Sequence, residues 1–91
     1  MTEQEYRKLL AERGFDEPVL VERNPKTQLD NHIYSFEAMA LIISGDITIF
    51  TEYSETTYHA GETFHLPPDV PYREEFGAQG VTYLSGRKHS A

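Results

Sequence analysis

Beyond Gly14 turn signals interrupt the chain repeatedly: Pro18, Asn24-Pro25, Gly45-Asp46, Tyr53-Ser54-Glu55, Ala60-Gly61, Pro67-Pro68-Asp69, Gly77 and Gly80. Glycine, proline and the small polar residues punctuate a chain because they adopt or pre-set backbone angles that other residues avoid. Between them lie segments rich in Val, Ile, Thr, Tyr and Phe, the residues that suit a pleated, half-buried surface: 19–22, 27–34, 38–43, 47–52, 56–59, 63–66, 72–76 and 81–86. Short strands with no helical pattern between them predict an all-β domain, an antiparallel sandwich or small barrel.

Only the start departs from this pattern. Thr2 with Glu5 fits a capping box, Tyr6, Leu9, Leu10 and Arg13 share one side at helical spacing, and Gly14 stands where a helix ends. The spacing predicts a short N-terminal α-helix over about 3–13. Its apolar stripe is narrow, which suits a helix laid on the outside of a sheet. The 91 residues read as one domain, 1–91, with the barrel over about 18–86 and a frayed tail over 87–91.

Composition narrows the chemistry. Eight Lys and Arg against fifteen Asp and Glu leave a net charge of −7, poor equipment for phosphate backbones, so no nucleic-acid partner is expected. Without cysteine there are no disulfides, thiolate metal sites or cysteine nucleophiles. The longest apolar run, Ala38 to Ile43, is far short of the roughly 20 residues that cross a bilayer, and the charged start is unlike a signal peptide. No membrane partner and a cytoplasmic location are expected. Neither a Gly-x-Ser-x-Gly elbow nor a phosphate-cradling glycine loop is present.

Side chains alternate between the faces of a strand, so parity sorts them. Ile47 pairs with Ile49, and Phe64 with Leu66, leaving His65 on the outward side. Along the preceding segment His32, Tyr34, Phe36, Ala38, Ala40 and Ile42 share a face, and Glu37 points away unless a bulge near Ser35 reverses it. Tyr72, Glu74 and Phe76 share a face of their own strand.

Two stretches carry a recognisable motif. Gly61-Glu-Thr-Phe-His-Leu-Pro67-Pro-Asp-Val-Pro-Tyr72 resembles the second motif of the small single-domain cupins, and His32-Ile-Tyr34-Ser-Phe-Glu37-Ala38 leading to Gly45 resembles the first. The resemblance spans about residues 27–86. It implies a cupin-like double-stranded β-helix, a small jelly-roll barrel, often homodimeric, that binds a divalent metal inside through three histidines and a glutamate. Taken one at a time, the first histidine matches His32, the second falls on Tyr34, the second-motif histidine falls on Tyr72, and the glutamate position falls on Ala38 beside Glu37. Asp69 replaces the turn glycine. The metal motifs are therefore degenerate.

Three functions follow from that arrangement. The leading one is a small-molecule-binding barrel whose pocket is built from His32, Tyr34, Ala38, Ala40, Phe64, Tyr72 and Glu74, the two alanines leaving volume and the rings walling it. The second is a metal-dependent enzyme of dioxygenase or isomerase type, with iron, manganese or zinc on His32, on Glu37 or Glu74, and on one or both of Tyr34 and Tyr72. A ferric ion suits tyrosine, because a phenol of pKa near 10 needs a strong Lewis acid to ionise near neutrality. In the third the tyrosines fill the interior and the packed barrel is a protein-interaction module. No catalytic residue is assigned, and no cofactor beyond that divalent or ferric ion. Dimerisation is expected because Met39, Leu41 and Ile43, on the back of the 38–43 segment, need covering by the helix or a partner.

Overall fold

The structure, a computed structural model, describes residues 1–25, 28–33 and 35–89, the side chains of residues 28–32 excepted. Helix α1 (Glu3–Glu12) is followed by strands β1 (Val19–Arg23), β2 (Gln28–His32), β3 (Glu37–Phe50), β4 (Glu55–His59), β5 (Thr63–Leu66) and β6 (Tyr72–Lys88). The capping box forms as read: the Glu5 amide donates to the Thr2 hydroxyl (3.1 Å) and the Thr2 amide to the Glu5 carboxylate (2.9 Å), satisfying amides that the first helical turn leaves open.

All strand pairs are antiparallel. The order is β1-β6-β3-β4, with β2 also on β6 and β5 also on β3. The two long strands pair along their whole length, from Glu37 against Lys88 to Phe50 against Arg73. One half of that ribbon carries β1 and β5, the other β2 and β4, and folding one half over the other closes the barrel.

The sequence breaks at Gly45 and Gly77–Gly80 are bends within strands, so the expected segments 38–43 and 47–52 merge into β3, and 72–76 and 81–86 into β6. Gly45 (φ 76°) and Gly80 (φ 73°) take the left-handed angle that costs a Cβ-bearing residue, and the ladder slips between Ile42 and Ser44 and again between Gly45 and Ile47. A Cβ on Gly45 would lie 2.0 Å from the Gly80 carbonyl oxygen, so the two corners pack backbone to backbone. Arg87 and Lys88 belong to β6 rather than to a frayed tail, held by pairing with Ala38 and Glu37.

Two apolar clusters lie on opposite sides of the β1-β6-β3-β5 layer. Inside the barrel are Ala38, Ala40, Ile42, Ile47, Ile49, Phe64, Leu66, Tyr72, Phe76, Val81 and Tyr83, with Val21, Phe36 and Tyr58 packed against them. Outside, Tyr6 and Leu10 of α1 cover Met39, Leu41 and Leu84. The helix thus covers most of the face for which a partner was an alternative cover, leaving Ile43 at its margin, 41% exposed.

Candidate functional site

Parity places Ala38, Ala40, Phe64, Tyr72 and Glu74 in the barrel interior, all of them buried. Of the remaining candidates, the side chain of His32 and the whole of Tyr34 lie outside the described residues. Glu37 faces away from the interior, on the opposite side of β3 from Ala38, and its carboxylate bonds to Nε2 of His65. No bulge turns it inward, because β3 is regular against β5 from Ala38 to Leu41.

The interior is nearly filled. The cavity bordered by Ala38, Phe64, Tyr72 and Glu74 measures about 30 Å³, and among the described residues Val21, Arg23, Phe36, Tyr83, Ser85 and Arg87 also line it. A water needs roughly 10–15 Å³ by a comparable measure, so this space suits a water or two and no organic ligand. Ala40 packs in the core without lining it. The alanines therefore make room for neighbouring rings rather than for a pocket. Ser85 and Arg87 were not foreseen as cavity residues: both continue the inward parity of Val81 and Tyr83, Arg87 past the point where the strand was expected to fray.

The motif resemblance implies a divalent metal on three histidines and a glutamate. Two of those positions are described, and they hold Ala38 and Tyr72. Among the described residues the charged groups at the interior cavity are one carboxylate, Glu74, and two guanidinium groups, Arg23 and Arg87. No three His, Asp or Glu side chains come together among the described residues. A divalent cation prefers several anionic or imidazole donors, and two arginines oppose its charge, so these residues do not fit the metal.

Larger open volumes lie elsewhere on the molecule. A cleft of about 430 Å³ runs between the β3–β4 turn and the β5–β6 loop, lined by Ile49, Thr51, Glu52, Tyr53, Ser54, Thr56, Tyr58, His65, Leu66, Pro67, Asp69, Val70 and Pro71. The turn is tied by the Thr51 amide donating to the Ser54 carbonyl (2.8 Å) and by a hydroxyl contact between the same residues (2.7 Å). Across the cleft Asp69 takes φ 64°, so the loop keeps a left-handed residue where the motif has glycine, a conformation aspartate tolerates better than most. An aromatic wall divides cleft from interior: Tyr58 meets Phe64 at 5.5 Å between ring centroids, and Phe64 meets Tyr83 at 5.9 Å. Sequence reasoning missed the cleft because it depends on β4 and β5 each pairing only with β3 among the described strands, a long-range fact with no local signature.

The sequence matches no family model and no curated protein. Solved structures similar to it include cupins. The cupin domain of Cnp3 from Schizosaccharomyces pombe superposes at TM-score 0.73, with 13% identity over 84% of this chain. An RmlC-like cupin from Shewanella frigidimarina gives TM-score 0.67, with 14% identity over 81% of this chain and 68% of its own length. The DMSP lyase DddQ from Ruegeria pomeroyi gives TM-score 0.71, with 14% identity over 78% of this chain. The chain spans 64% of the length of the Cnp3 domain and 36% of DddQ. Bent antiparallel layers closed around an apolar interior, together with these likenesses, define the cupin fold. At such identities the likeness carries architecture and nothing about the ligand.

Proposed function

We propose that the protein binds a small organic molecule in the cleft between the β3–β4 turn and the β5–β6 loop. The observation that carries this is the cleft's size and lining: about 430 Å³, within the range of small-molecule sites, with Ile49, Tyr58, Leu66, Pro67, Val70 and Pro71 as apolar wall and hydroxyls at Thr51, Ser54 and Thr56. Its described charged groups are Glu52 and Asp69, with no Lys or Arg, so a neutral or cationic ligand is favoured over an anion. The leading expectation of a small-molecule binder is kept, and its location moves from the interior to the barrel's flank.

Amide NMR shifts on adding benzylamine, benzyl alcohol or benzoate test it. The reading expects shifts concentrated in residues 51–58 and 65–71, stronger for benzylamine than for benzoate, and abolished in Val70→Lys. Uniformly absent shifts, or shifts centred elsewhere, would overturn it.

We further propose that the chain self-associates through β1, whose outer edge has no strand partner among the described residues and whose Val19 and Leu20 are 52% and 56% exposed. Light scattering should give twice the chain mass of 10.5 kDa, reverting to one chain in Leu20→Glu. A mass of one chain at high micromolar concentration would refute the dimer.

A further inference from the structure

His65 lines the cleft, and its ring is held from behind. Nε2 bonds to the Glu37 carboxylate across the β3–β5 ladder, where His65 stands opposite Met39, two residues along from Glu37. An ionised carboxylate only accepts hydrogen bonds, so Nε2 must carry the proton it donates, and in the neutral ring Nδ1 is left with a bare lone pair. Among the described residues no group bonds to Nδ1, and the His65 side chain is 46% exposed. A ring fixed in one tautomer, with its basic nitrogen open and a carboxylate behind it to balance the charge it gains, is the arrangement of a general base.

We infer that His65, positioned by Glu37, removes a proton from a small molecule held in the cleft. The proton passes from a substrate carbon or oxygen to Nδ1, the electron pair it leaves stays on the substrate, and the imidazolium that forms is stabilised by Glu37. The proton then returns to product or passes to water, so the ring is regenerated with no redox partner. His65 is the catalytic residue and Glu37 the positioning residue. This inference rests on the cleft being the binding site.

5-Nitrobenzisoxazole is a suitable probe, a neutral aromatic molecule whose ring opens on loss of one proton. The base takes the C3 hydrogen, its electron pair forms the nitrile, and the N–O bond breaks to give the coloured phenolate. The full chain is expected to accelerate this well beyond an equal concentration of free imidazole. His65→Ala should lower kcat on the order of 100-fold and regain rate when imidazole is added. Glu37→Gln should lower kcat about tenfold at unchanged KM, with Glu37→Asp recovering part of the loss. Cleft-centred NMR shifts with a rate no better than free imidazole, or full activity in His65→Ala, would overturn the inference while leaving the cleft reading intact. No cleft-centred shifts with the probe would overturn both.

Discussion

Tyr6 shows how one residue of a narrow helical stripe secures the outer cluster. Its ring is fully buried, and its hydroxyl lies 2.7 Å from the Met39 carbonyl oxygen and 3.1 Å from that of Leu84, donating between two strands that the ring also covers. Tyr6→Phe keeps the apolar surface and removes the donor, and should lower stability by about 1–2 kcal/mol in chemical denaturation. Burial pushes the phenol up to about 12 from its ordinary 10, with backbone hydrogen bonding acting weakly the other way. The unfolded chain therefore loses this proton first as pH rises. The contribution is complete below pH 10 and is lost as pH climbs through about 12, at about 1.4 kcal/mol per unit of separation. Denaturation midpoints measured across that window should fall in the parent protein and fall less in Tyr6→Phe.

At the scale of elements, the decisive feature is the matched bend in β3 and β6. Inward residues run Ala38, Ala40, Ile42 and then Ile47, Ile49 in one strand, and Tyr72, Glu74, Phe76 and then Val81, Tyr83 in the other. Parity flips in both at the same place, because Ile42 pairs with Tyr83 and Ile47 with Phe76 across the same stretch of ladder. An extra residue at a bulge turns the following side chains over, which lets one strand line both layers of the barrel. Each half was legible from alternation alone, whereas the continuity of each strand through its glycines was not, since a glycine that bends a strand and one that ends it look alike. Gly45→Ala combines an unfavourable φ with a Cβ at 2.0 Å from the Gly80 oxygen, and should cost about 3 kcal/mol or more by denaturant titration. Gly61→Ala has open space around its Cβ and bears only the angular strain, so its loss should be smaller.

For the whole molecule, the sequence showed which side chains face inward but not how much room they leave. Ala38 and Ala40 were read as volume, yet Phe64, Tyr72 and Tyr83 converge from other strands and occupy it. Packing of that kind depends on partners distant in sequence, which alternation within a strand does not specify. Outward parity for Glu37 and His65 was likewise correct, while their meeting depends on the β3–β5 register. Part of the acidic balance gains a location in the cleft, whose lining includes Glu52 and Asp69.

The ring wall of Tyr58, Phe64 and Tyr83 separates two compartments of unlike character, a charged chamber too small for organic guests and a roomy, largely greasy trough. Because no described residue borders both, an exchange of side chains in the chamber leaves the trough's described lining untouched. Substitutions can therefore repack one compartment without altering the walls of the other, much as a building can brick up one room without closing the one next door.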